Sequence, residues 1–157
     1  MQDLSKKVSA LLRKKNLKLA TAESCTGGLL SATITALPGS SDVFERGFIT
    51  YSNESKTELL QVPAKLIATH GAVSAEVAQA MAEGALKNSR ADITISITGI
   101  AGPDGGSTEK PVGTVYIGYA VKGRKAESRH NLFKGTREEI RKQSMTAALE
   151  IILENLL

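Results

Sequence analysis

Ser24, Tyr51 and Lys56 are the residues whose types and settings most readily suggest covalent chemistry. Ser24 sits in Glu23-Ser24-Cys25-Thr26-Gly27-Gly28, and the other two bound Tyr51-Ser52-Asn53-Glu54-Ser55-Lys56. A serine at a strand-to-helix turn is placed as a nucleophile. The helix that follows it has free N–H groups that can hold a phosphate or the oxyanion of an acyl-transfer intermediate. A serine hydroxyl is weak alone and needs a base. A Ser-His-Asp arrangement would have to use His70 or His130, the only histidines. His70 precedes Gly71 at a helix end, where a positive imidazole simply favours the dipole, and His130 lies mid-strand among charged and polar residues. The other route is a lysine base, which works if burial or positive neighbours lower its pKa. Lys56 lies shortly after a strand end, and Tyr51 could relay a proton or orient the amine.

Each of these residues also has a plainer reading. Ser24 or Thr26 could merely cap the helix. Lys56 and Glu54 could be solvated charges on a short helix, with Tyr51 closing a core edge. Cys25 competes with Ser24, since a thiol at a helix N-terminus has a lowered pKa, but Glu23 beside it opposes a thiolate. In Gly99-Ile100-Ala101-Gly102-Pro103-Asp104-Gly105-Gly106-Ser107, the glycines Gly102, Gly105 and Gly106 permit positive φ and close ligand approach. Neither a P-loop nor G-x-G-x-x-G occurs in the chain. Arg137 and Arg141, at i and i+4, could both face one anion, or both be solvated surface arginines.

These residues need elements to hold them. Leu4, Val8, Leu11 and Leu12 recur at helical spacing, predicting a helix from 3 to about 15 that Asn16 ends. Leu17 to Ala22 alternates as a strand, and Leu29 to about Leu37 is helical until Pro38-Gly39. Phe44 to Tyr51 is a second strand. Ser52 or Asn53 caps a short helix through Leu60, Pro63 starts another ending near His70-Gly71, and Ser74 caps a helix from Ala75 to about Asn88. Asp92 to Thr98 is an Ile-rich strand that empties into the glycine loop. Thr114 to Val121 and Ala126 to Phe133 form a hairpin. Thr136 and Glu139 make a capping box for a last helix running to near Leu156. Strand-helix units followed by a hairpin predict a layered α/β domain with a mixed sheet.

Composition narrows the function classes. The chain has 157 residues, 41% of them hydrophobic and 23% charged, which fits one folded domain over 1–157. The net charge of +4 is dispersed, aromatic residues make up 4% and tryptophan is absent, so direct nucleic-acid binding is disfavoured. One cysteine excludes an internal disulfide, and two histidines beside it are too few for a protein-built zinc site. No run of about 18 apolar residues and no signal-type N-terminus occur, so the expectation is a soluble cytoplasmic protein without membrane contact.

Taken together, the blocks Ala22 to Gly28, Gly47 to Asn53 and Lys56 resemble the competence/damage-inducible protein A (CinA) family. So do His70-Gly71-Ala72-Val73-Ser74, Ser96 to Gly106 and Lys110-Pro111-Val112-Gly113-Thr114-Val115. The likeness is to that family's C-terminal domain and covers nearly the whole chain. It implies a three-layer α/β/α sandwich, often a homodimer, and a nicotinamide-nucleotide amidase that converts nicotinamide mononucleotide to nicotinate mononucleotide and ammonia without metal or cofactor. It further implies Ser24 as nucleophile, Lys56 as base, Tyr51 assisting, and an arginine at the start of the last helix, Arg137 or Arg141, on the phosphate. Thr26, Gly27, Gly28, Gly102, Gly105 and Gly106 would line the substrate. No segment corresponds to the larger N-terminal domain of some members. Two rival readings stand beside this one: a nucleotide-binding regulator that keeps the pocket without the chemistry, and an interaction module of competence or DNA damage.

Overall fold

The computed structural model describes residues 2–157. In chain order the elements are α1 (Gln2–Lys15), β1 (Leu19–Glu23), α2 (Leu29–Thr35), β2 (Phe44–Ile49), α3 (Asn53–Leu60), α4 (Ala64–His70) and α5 (Ala75–Lys87). They continue with β3 (Ile93–Gly99), β4 (Thr114–Val121), β5 (Glu127–Leu132) and α6 (Arg137–Leu156). One mixed sheet runs β2-β1-β3-β4-β5. β1 pairs in parallel with β2 and β3, while β4 and β5 are antiparallel additions.

The alternation along β3 decides how the layers form. Ile93, Ile95 and Ile97 join Leu12, Leu30, Ile140, Leu149 and Ile152 in a core beneath α1, α2 and α6. The opposite face of β3 carries hydroxyls, yet it too is buried. Thr94 Oγ1 donates to Ala82 O (2.7 Å), Ser96 Oγ to Ala78 O (2.6 Å) and Thr98 Oγ1 to Ala72 O (2.9 Å). Those bonds satisfy polar groups that would otherwise be costly to bury against α5 and the residues just before it. Beside them, Ala22, Leu60, Val62, Ile67, Val77 and Met81 form a second core under α3, α4 and α5. The result is the three-layer α/β/α sandwich with a mixed sheet.

The element edges differ from the sequence pattern for local reasons. β1 starts at Leu19 rather than Leu17, because Leu17 N–H closes α1 on Leu12 O and Lys18 N–H donates to the Asp92 carboxylate. Asn16 ends α1 in the left-handed region, φ 55°. α2 stops at Thr35 rather than Leu37, and an unforeseen 3₁₀ turn, Ser40–Asp42, precedes β2. β2 ends at Ile49 rather than Tyr51, which releases the carbonyls of Thr50 and Tyr51 for another use. Among the described residues no helix is long and apolar enough to cross a membrane.

Candidate active site

Parallel strands bring their carboxyl ends to one edge, and ligands gather there in open α/β sheets. Glu23, the last residue of β1, lies in register with Ile49 of β2 and Ile97 of β3. Just beyond it, Ser24 N–H donates to Ile97 O (2.9 Å), and Gly27 N–H closes the turn on Ser24 O (3.0 Å). Gly28 then takes φ 109°, a conformation that disfavours any side chain, immediately before α2.

The cap of α2 is not the one the sequence offered. Neither Ser24 nor Thr26 caps the helix. The Glu23 carboxylate reaches over the turn and accepts from Leu30 N–H (2.9 Å), Ser31 N–H (2.9 Å) and Ser31 Oγ (2.6 Å). Helix N-termini favour negative charge, so this carboxylate does the work of a cap from the preceding strand. The amides of Leu30 and Ser31 are thereby occupied and unavailable to a phosphate or oxyanion.

Lys56 is placed from the other side of the turn. Ser52 caps α3 by accepting from Ser55 N–H (3.1 Å). One turn later Lys56 and Leu60 point inward, and Lys56 is 1% exposed. Its Nζ lies 3.1 Å from Ser24 Oγ and donates to Thr50 O (2.6 Å) and Tyr51 O (3.2 Å). Burial lowers its pKa to about 8, while the nearby Cys25 pulls weakly the other way. A neutral amine in this setting can keep two N–H bonds to the carbonyls and turn its lone pair toward the Ser24 hydroxyl. The solvated-lysine reading is therefore excluded, and Ser24 and Lys56 form a buried hydroxyl–amine pair.

Tyr51 does not close a core edge; it is 61% exposed. Its carbonyl touches Lys56, whereas its phenol accepts from Arg137 Nη2 (3.1 Å). Arg137 Nη1 also donates to Gly102 O (2.8 Å), so this exposed arginine bridges the segment after β2 and the loop after β3. Gly102 is buried at φ 80°, and an added Cβ would collide with Val112. Gly105 and Gly106 lie farther along the same loop on its exposed part. Arg141 donates through Nε to Cys25 O (3.1 Å) and through Nη2 to Thr26 O (2.9 Å), so it holds the turn itself. Thr26 is fully buried, its hydroxyl without a hydrogen-bond partner among the described residues, and Gly27 is exposed.

The remaining candidates fall away from this pair. The Cys25 thiol is buried, and that burial raises its pKa to about 11 rather than lowering it. His70 Nδ1 lies 3.2 Å from Glu76, and His130 stacks on Tyr116 at 4.8 Å. Among the described residues no group of three or more His, Cys, Asp or Glu is placed to hold a metal ion. A depression of about 430 Å³ between α3 and α4 is lined by Asn53, Glu54, Thr57, Glu58 and Ile67 among others, and by neither Ser24 nor Lys56. Chemistry, not cavity size, picks out the site.

Comparison with known proteins agrees on one kinship. The family model described as the CinA C-terminal domain matches residues 1–156. The chain is 46% identical over 157 residues to nicotinamide-nucleotide amidohydrolase PncC of Escherichia coli (strain K12), covering 100% of this chain and 95% of that protein. It is 52% identical over 156 residues to a CinA-like protein of Citrifermentans bemidjiense, but spans only 37% of that relative's length. Against the crystal structure of competence/damage inducible protein CihA from Agrobacterium tumefaciens the TM-score is 0.95 at 40% identity, covering 99% of this chain and 94% of that one.

Proposed function

The chain belongs to the CinA C-terminal domain family, and from that premise we propose that it hydrolyses nicotinamide mononucleotide to nicotinate mononucleotide and ammonia. The observation that carries this reading is the 3.1 Å contact between Ser24 Oγ and the buried amine of Lys56. A relative of almost the same length, named as a nicotinamide-nucleotide amidohydrolase, supports the substrate.

Chemistry at the pair proceeds in two halves. Ser24 Oγ attacks the carboxamide carbon as neutral Lys56 takes the hydroxyl proton. The tetrahedral intermediate collapses, the carbon–nitrogen bond breaks, and Lys56 returns that proton to the departing ammonia. Water then attacks the acyl ester with Lys56 again as base, releasing the carboxylate and restoring the Ser24 hydroxyl. Tyr51 assists by holding the amine through its carbonyl and by orienting Arg137 through its phenol. The substrate lies between Gly27 and Gly28, on the accessible part of the turn with Thr26 buried behind them, and the loop of Gly102, Gly105 and Gly106, with its phosphate on Arg137. The exposed guanidinium can turn from Gly102 and Tyr51 toward an anion. A homo-oligomer working in the cytoplasm completes the proposal, on family likeness alone.

Paired assays on nicotinamide mononucleotide and nicotinamide riboside test this reading. One ammonia should appear per nicotinate mononucleotide, and the riboside should be poorer in kcat/KM by roughly tenfold or more. Nucleotide binding without any release of ammonia would overturn the enzyme and leave a nucleotide-binding regulator.

A further inference from the structure

The acyl-transfer reading requires an oxyanion donor, and the usual source is closed here, because Glu23 occupies the amides of Leu30 and Ser31 at the head of α2. Nearer the nucleophile, the turn is braced in a defined sequence of peptides. Arg141 holds Thr26 O and Cys25 O from behind. In a trans peptide the N–H points opposite to the C=O, and the one cis bond among the described residues is Gly102-Pro103. Fixing Thr26 O therefore aims the Gly27 N–H of the same peptide the other way, where it donates to Ser24 O (3.0 Å). That bond in turn fixes the peptide between Ser24 and Cys25. Its own N–H, that of Cys25, points opposite to Ser24 O, has no oxygen acceptor among the described residues and is engaged only by the sulfur of its own residue, a weak acceptor that an oxyanion would displace.

Three amides of the turn, those of Cys25, Thr26 and Gly28, have no oxygen acceptor among the described residues, and place and exposure separate them. Thr26 is 0% exposed and closed to a ligand, and Gly28 N–H lies four residues past the nucleophile, at the head of α2. Cys25 retains 6% and Ser24 8%, so the turn is not fully closed at these two residues. An amide directly after the nucleophile is a position from which an oxyanion can be held.

We propose that Arg141 is a positioning residue that locks the Ser24–Gly27 turn so that Cys25 N–H stands ready as the oxyanion donor. This rests on Ser24 being the nucleophile, and it separates the two arginines of α6: Arg137 meets the phosphate and Arg141 meets only the protein. Losing the brace frees the turn peptides to rotate and removes a preorganised donor, an effect on the transition state more than on substrate binding.

Steady-state kinetics of Arg141→Ala and Arg141→Lys on nicotinamide mononucleotide and nicotinamide riboside read this directly. Arg141→Ala should lower kcat by roughly a hundredfold, with KM changed less than about threefold and the same factor on both substrates. Arg141→Lys should fall between, since an ammonium cannot span two carbonyls as a guanidinium does, and added guanidinium ion should restore part of the alanine variant's rate. A loss confined to KM for the nucleotide would make Arg141 a phosphate contact and overturn the proposal, as would an unchanged kcat. If the alanine variant does not fold, the lysine variant carries the same comparison. Acylation of the chain by p-nitrophenyl acetate, read by mass, is a parallel measure independent of the natural substrate. Acylation that persists in Ser24→Ala would sink the nucleophile, whereas acylation lost in Ser24→Ala but undiminished in Arg141→Ala would sink only the brace.

Discussion

Lys56 carries two opposed influences. Burial favours the amine and the neighbouring Cys25 favours the ammonium; burial prevails and brings the pKa to about 8. At pH 7 roughly a tenth of the molecules hold the neutral base. The kcat/KM for the amide should therefore climb about tenfold per pH unit below 8 and level off above it, a profile that a rate flat from pH 6 to 9 would contradict. Stability should move in the same direction. Between about 8 and the ordinary lysine value of 10.5 the unfolded chain holds a proton that the folded chain has lost, so folding gains as pH rises through that window. The gain is on the order of 3 kcal/mol. Urea unfolding of the parent and of Lys56→Met at pH 7 and 10 should show it in the parent alone; an equal rise in both would assign it elsewhere. Cys25, with its thiol raised to about 11, should be dispensable, and Cys25→Ala should keep activity within about threefold. The identities of Ser24 and Lys56 as chemical groups were legible in the sequence. Their contact was not, because 32 residues separate them and only the sheet edge brings them together.

At the scale of elements, the periodicities of α1, α3, α5, β4 and α6 named their elements, because capping residues and alternation are local signals. Ser74 and Thr136 cap as their positions foretold, the latter with a complete capping box, and of the two candidates Ser52 and Asn53 it is Ser52 that caps α3. What local pattern could not show is that the hydroxyl face of β3 is buried, since its partners are carbonyls within α5 and just before it. For the same reason Glu23 could not be read as the cap of α2: its role appears only once the turn folds back. Replacing it should cost the element that follows. Glu23→Gln keeps one acceptor for two amides and a hydroxyl, and should lower stability by about 1–3 kcal/mol in urea titrations. A change below 0.5 kcal/mol would mean that α2 needs no carboxylate at its head. Because the turn between Glu23 and α2 carries Ser24, the same variant should also lose activity.

At the scale of the molecule, three parallel strands deliver their ends to one edge, and each neighbouring layer contributes one cationic side to it. Lys56 arrives from α3 in one layer, Arg137 and Arg141 from α6 in the other. The sheet connects both cores, so residues 1–157 should unfold as one unit, with far-UV and near-UV transitions superimposed; separated midpoints would divide the chain. The phosphate's place is also a question of the whole site, since Arg137 bridges Tyr51 and Gly102 from two loops. Arg137→Ala should raise KM for nicotinamide mononucleotide by tenfold or more and leave nicotinamide riboside almost unaffected, while equal losses on both would remove the phosphate from that arginine. The central claim is that Ser24 and Lys56 together open a carboxamide. Ammonia release from nicotinamide mononucleotide at pH 8.5, by the parent and by Ser24→Ala side by side, tests it most directly. Release by the parent that falls to background in Ser24→Ala is the predicted result; release that survives the substitution would contradict it.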